Sequence, residues 1–75
     1  MNPTTNNKII KAVEHAQRKH PDFASNFEHA VSLATEELGE LAKAINEGDL
    51  KAAQAETLDT IAVLVRIHDW LEEYL

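Results

Sequence analysis

The chain contains no cysteine. Disulfide staples and thiolate metal sites are both excluded. Basic residues are scarce: 7 against 13 acidic ones, a formal charge of −6. That balance disfavours non-specific binding to a nucleic acid polymer or to an anionic membrane. No apolar run approaches the roughly 20 residues that span a bilayer. The N-terminal Met1-Asn2-Pro3-Thr4-Thr5-Asn6-Asn7 is polar and lacks a signal-peptide apolar region, so the expected compartment is cytoplasmic. Strand-like alternation, internal repeats and low-complexity segments are also missing. Residues 1–75 therefore read as one all-α domain. So short a chain is marginal alone. Without disulfides, oligomerisation is the remaining common way to stabilise it.

The 2 glycines and 2 prolines punctuate three expected helices. The first spans about Thr5 to Lys19, with Thr4 or Thr5 as N-cap. Ile9, Ile10, Val13 and Ala16 give it a narrow apolar stripe, and His20-Pro21 ends it. Ser25 and Glu28 fit a capping box for a second helix over about Asn26 to Glu47. Gly48 is the expected left-handed residue after that helix. Asp49 then caps a third helix running to the C-terminus.

Four acids stand out: Glu37 and Glu40, then Glu56 and Asp59. Each pair is three apart and shares one face of a helix. Glu40 and Glu56 each lie eight residues from Gly48, and Glu37 and Asp59 each lie eleven. If the chain folds back at Gly48, all four meet about 12–17 Å from the turn. Like charges repel, so such a cluster implies a hard divalent cation. At 100° per residue, Leu33, Ala44, Ala30 and Leu41 lie within about 40° of Glu37. Val63, Ala52, Trp70 and Arg66 lie within about 40° of Asp59. The acids are thus set in apolar surface, and Arg66 and Trp70 extend their face. The third helix is also apolar on its flanks, with Leu58, Ala62 and Val65 on one and Ile61, Leu64, Leu71 and Leu75 on the other. Two further helices hardly cover that surface, which points to a partner subunit.

Glu36-Glu37-Leu38-Gly39-Glu40, then fifteen residues, then Glu56-Thr57-Leu58-Asp59 resembles the E-E-x-x-E … E-x-x-D signature of MazG-type nucleoside triphosphate pyrophosphohydrolases. The flanks Glu36 to Ile45 and Glu56 to Arg66 are similar too, as is His20-Pro21-Asp22-Phe23. The likeness covers roughly residues 20 to 68. It implies an all-α small helical bundle, built round an antiparallel helix hairpin and completed by dimerisation. It also implies Mg²⁺ dependence, with Mn²⁺ as a substitute, and cleavage of a (d)NTP to (d)NMP and pyrophosphate. Nucleotide-pool house-cleaning is one role that fits. The family's metal ligands fall on Glu37, Glu40, Glu56 and Asp59. Glu36 points about 100° away from Glu37, which places it behind the ligands or on the rim. A homodimer or dimer of dimers is implied as well. Larger members carry a further helix and a basic tail. This sequence stops at Leu75, so closure of the site is expected from a second subunit.

A triphosphate and a carboxylate cluster repel unless Mg²⁺ bridges them. Glu37 or Glu40 is the candidate general base for the attacking water. Arg66 and Lys43 are the candidate phosphate contacts, and Trp70 or Tyr74 the candidate base-stacking group. Each has a plainer reading. Arg66 equally fits a counter-ion to Asp59 or Glu56. Lys43 fits an ion pair with Glu40 or Glu47 better than a phosphate contact. Packing is the better reading of Trp70 and Tyr74. His15, His20, His29 and His68 are scattered, and hard Mg²⁺ does not call for imidazole. Gly39, costly in mid-helix, reads as a point of close helix approach. Two rivals to the enzyme remain: a non-catalytic helical module for assembly or partner binding, and a structural bundle with acids in a solvated groove.

Overall fold

Capping chemistry sets where each helix begins and ends. The computed structural model describes residues 1–75 and holds three helices and no strand: α1 (Pro3–Lys19), α2 (Phe27–Asn46) and α3 (Leu50–Glu72). α1 starts two residues before the expected Thr5. Its cap is neither Thr4 nor Thr5 but Asn2, whose Oδ1 accepts from the Thr4 N–H at 3.0 Å and the Thr4 hydroxyl at 2.8 Å. The reason is Pro3 at the first helical position, where its fixed φ suits the helix and its missing N–H costs nothing. At the other end the His20 N–H donates to Ala16 O at 2.8 Å, and Pro21 bars continuation.

α2 is capped by Asn26 rather than Ser25. Asn26 is fully extended, φ −161° and ψ 176°, and its Oδ1 accepts from the His29 N–H at 2.7 Å. His29 Nδ1 in turn lies 3.1 Å from the Ser25 N–H and accepts from it. The cap thus runs from the His29 N–H to Asn26, one residue later than the Ser25–Glu28 box, and the His29 ring reaches back to Ser25. The helix ends as its sequence demands. Gly48 has φ 73°, a conformation that glycine alone adopts without strain. The Gly48 N–H reaches Ile45 O and the Asp49 N–H reaches Ala44 O, each at 3.0 Å. These two bonds satisfy the last carbonyls of α2 in a Schellman closure. Asp49 Oδ1 then accepts from the Ala52 N–H at 3.0 Å and opens α3.

α3 packs against both other helices, and α1 packs against α3 only. Phe27 at the start of α2 meets Trp70 and Tyr74 near the end of α3, with ring centroids 4.4 and 5.4 Å apart. The fully buried residues are four alanines: Ala30 and Ala44 of α2, Ala53 and Ala62 of α3. Small side chains let the helices approach closely. They also bury little apolar area, and no large side chain is completely enclosed. Gly39 is not a point of close approach, since a Cβ there meets nothing within 4 Å. No helix is long and apolar enough to cross a membrane.

Candidate functional site

The alanine contacts between α2 and α3 bring polar groups of the two helices close together. Glu37 of α2 and Glu56 and Asp59 of α3 each place a carboxylate oxygen within 4.8 Å of the other two. Glu37 and Glu56 are half-buried and Asp59 is exposed. One oxygen, Glu56 Oε2, is buried without a hydrogen-bond partner. An acceptor stranded this way costs about 1–3 kcal/mol, more when charged. Burial pushes the Glu37 carboxyl above its ordinary value. Hydrogen bonding to Glu56 and the charges of Glu56, Asp59 and Glu40 push it the same way. A proton held by Glu37, or a cation, would satisfy the stranded oxygen.

Of the four acids, Glu40 stays outside this trio and is exposed, although its charge still acts on Glu37. Three residues of helix turn it about 60° away from Glu37, out of the α2–α3 contact. Glu36 is exposed on the same flank, about 100° from Glu37.

α1 forms a wall that the sequence did not reveal. A cavity of about 210 Å³ has His15 and Lys19 of α1 and the following His20 on one side, and Glu37 and Asp59 on the other. A second, of about 320 Å³, runs from Glu37 past His20 and His29 to Phe23 and Arg66. The nitrogen-bearing side chains facing the acids therefore come from the end of α1. Their only sequence signal is the four-residue spacing of His15 and Lys19 beside the small pair Ala12 and Ala16, which becomes meaningful once α1 is docked.

Arg66 is engaged by the end of α1 rather than by the acids. It is not a counter-ion to Asp59 or Glu56. Its Nη1 donates to Ala16 O at 3.3 Å and its Nη2 to His20 O at 2.8 Å. Its guanidinium carbon lies 4.4 Å from the centre of the Phe23 ring. It thus caps the C-terminal carbonyls of α1, where the helix dipole favours a cation. Burial lowers its pKa.

Trp70 packs on Phe27, with Phe23 edge-on at 6.2 Å. Its flank also lines a cavity of about 420 Å³ with Phe23, Arg66 and Gln17. Lys43 is exposed and pairs with neither Glu40 nor Glu47. It is not among the residues lining these cavities. His68 Nδ1 lies 3.0 Å from Asp69 Oδ1, and that hydrogen bond, with the charge of Glu72, raises the His68 pKa. His68, Asp69 and Glu72 form a second polar group, wholly on the surface.

The Glu37–Glu56–Asp59 trio offers oxygen donors alone. Such a set suits Mg²⁺ or Mn²⁺ and not a soft metal, and the stranded Glu56 oxygen fits a cation. No protein-family model, no curated protein and no solved structure matches the chain.

Proposed function

We propose that this chain is a Mg²⁺-dependent nucleoside triphosphate pyrophosphohydrolase that adds water across a (d)NTP to give (d)NMP and pyrophosphate. The observation that carries this reading is the buried, unpartnered Glu56 Oε2 beside the carboxylates of Glu37 and Asp59. Like-charged oxygens held together cost stability unless a cation compensates them. The likeness of the two acidic motifs to the MazG-type signature supplies the reaction class.

Glu37, Glu56 and Asp59 would hold the cation, with Glu40 as a fourth carboxylate on the rim. Bound Mg²⁺ would supply charge neutralisation on the phosphates and a more acidic water. A carboxylate of Glu37 or Glu40 left free of the cation accepts the proton of the attacking water. Lys19 and His20 face the phosphates from the end of α1, the role expected of Lys43. Arg66 adds the donors not spent on α1. The base occupies the cavity beside Trp70. The α2–α3 pair serves as an antiparallel hairpin, and a second copy completes the bundle.

Incubation with a panel of NTPs and dNTPs plus Mg²⁺ is expected to release pyrophosphate. Glu56→Gln and Asp59→Asn are expected to abolish release. Absence of turnover on every nucleotide, or full rate in both variants, would sink the enzyme reading.

The engagement of Arg66 with α1 favours a second reading, a non-catalytic module that keeps the fold for assembly. Calorimetry separates the two. Mg²⁺-dependent binding of a non-hydrolysable triphosphate belongs to the enzyme, and its absence to the module.

A further inference from the structure

The cavities of the molecule form a series along α3. The one beside Trp70 shares Phe23 and Arg66 with the next. That one shares His20 and Glu37 with the cavity at the carboxylates. A fourth, of about 490 Å³, shares His15 and Asp59 with the carboxylate cavity and lies beyond it, toward the start of α3. α1 follows the same order, from Gln17 in the first cavity to Lys8 in the fourth. The cleft therefore has two unlike ends, with the acidic trio between them. Phe23 and Trp70 stand at one end.

The other end is built from cations. Lys8 and Lys11 of α1 and Lys51 of α3 line it, over Ala12, Ala55 and Leu58. Three of the 7 basic residues of a chain with net charge −6 thus meet in one groove. Charge is also segregated by helix: α1 carries four of those basic residues and a single acid, Glu14. Lys8, Lys11 and Lys19 lie within about 40° of His15, a stripe roughly 16 Å long on one side of α1. The stripe runs from the fourth cavity past the carboxylate trio.

The chain itself offers these lysines no anion. None of them is paired with a carboxylate, although acids outnumber bases by 13 to 7. Lys8 and Lys11 are neighbours on their helix and repel each other. Lys51 runs against the dipole of its own helix. It sits in the first turn of α3, where an anion is favoured and a cation is not. Asp49 caps the helix, but the turn itself contains no acid. Three unpaired cations held together call for an anionic ligand from outside, as the trio calls for a cation.

We infer that the Lys8–Lys11–Lys51 groove holds the two terminal phosphates of the nucleotide, and the pyrophosphate that remains after cleavage. The choice of a nucleotide rests on the reading above, whereas the affinity of the groove for pyrophosphate does not. A condensed phosphate meets both demands of the site. Its oxygens pair with lysine ammonium groups and bind the divalent cation that the carboxylates need. The polarity of the cleft then orients the substrate. With the base at Trp70 and the cation at Glu37, Glu56 and Asp59, the terminal phosphates point toward the lysines. Lys19 and His20 are left for the phosphate nearest the sugar. The net charge of −6 does not prevent this, because exposed charges more than about 10 Å away are largely screened. A nucleoside monophosphate leaves the groove empty and a diphosphate half-fills it, so the groove selects triphosphates.

Calorimetry with inorganic pyrophosphate and Mg²⁺ tests the groove without any turnover. Wild type is expected to bind pyrophosphate more tightly than orthophosphate. Lys51→Ala, and Lys8→Ala combined with Lys11→Ala, are each expected to weaken pyrophosphate binding by about tenfold or more, the loss that follows from removing a charge-assisted hydrogen bond. All three lysines are exposed and alanine favours helix, so the variants keep the fold, which far-ultraviolet circular dichroism checks. Lys43→Ala removes the same charge from α2, outside the groove, and is expected to bind as wild type does. The inference is overturned if wild type binds pyrophosphate no better than orthophosphate. It is also overturned if the groove variants bind as wild type does, or if Lys43→Ala loses as much as they do. Lysine-dependent pyrophosphate binding without turnover of any nucleotide would keep the groove and remove the enzyme reading. Turnover with unchanged pyrophosphate affinity in the variants would keep the enzyme and remove the groove.

Discussion

Arg66 of α3 donates to the backbone carbonyl of His20 at 2.8 Å across 46 residues of sequence. The bond fastens the end of α1 to α3, and so sets the wall that faces Glu37 and Asp59. A side chain that fitted a counter-ion to the acids thus holds the scaffold instead.

Removing this clamp has a defined cost. Arg66→Ala deletes two hydrogen bonds to α1 carbonyls and the stack on Phe23. We expect a loss of about 1–3 kcal/mol, read as a melting temperature lower by roughly 5–15 °C. Arg66→Lys should recover only part of it, because an ammonium lacks the planar fork that reaches both carbonyls. Unchanged melting in Arg66→Ala contradicts the capping role.

Divalent cation should stabilise the folded chain through Glu56. A ligand of the native state adds about 2.7 kcal/mol at a concentration one hundred times its Kd. Mg²⁺ is therefore expected to raise the wild-type melting temperature by several degrees and leave Glu56→Gln unmoved. Without cation, Glu56→Gln should melt no lower than wild type, since it removes one of the mutually repelling charges. An equal Mg²⁺ shift in both proteins places the ion elsewhere.

Glu37 should imprint itself on the pH dependence of stability. Its folded pKa is raised, first by burial and then by Glu56, Asp59 and Glu40. The folded state therefore holds this proton more tightly than the unfolded state. Its contribution is most favourable below the unfolded value of about 4.3. It declines as pH rises from there through the raised folded value, and is flat above. In the presence of a chelator, the stability of Glu37→Gln relative to wild type should grow between pH 4 and pH 7. A difference that stays constant over that range contradicts the raised pKa.

Lys19 and Lys43 give opposite expectations. Lys19 lines the cavity that holds Glu37 and Asp59, and Lys43 is exposed. Lys19→Ala should weaken binding of a non-hydrolysable triphosphate about tenfold, the equivalent of 1.4 kcal/mol. Its Mg²⁺-induced thermal shift should persist. Lys43→Ala should bind as wild type does. The reverse pattern in calorimetry would return the phosphate role to Lys43.

Much of the fold was legible because it rests on short-range chemistry. Pro21 ends α1, Gly48 supplies the left-handed turn, and Asp49 caps α3, each acting within a few residues of itself. The two capping errors were also local. Pro3 favoured a start at Asn2, and the extended backbone of Asn26 displaced the box expected at Ser25. Glu37, Glu56 and Asp59 were readable because helical periodicity fixes which side chains share a face.

The sequence by itself determined the three helices, the turn at Gly48 and the acidic faces of α2 and α3, since each follows from propensity, caps and the 3.6-residue period. Only the tertiary structure decided that Glu40 stays outside the trio, that His15, Lys19 and His20 form the facing wall, and that Arg66 caps α1. Those outcomes depend on where α1 docks against α3. That docking comes from contacts between residues far apart in sequence, which no local pattern encodes.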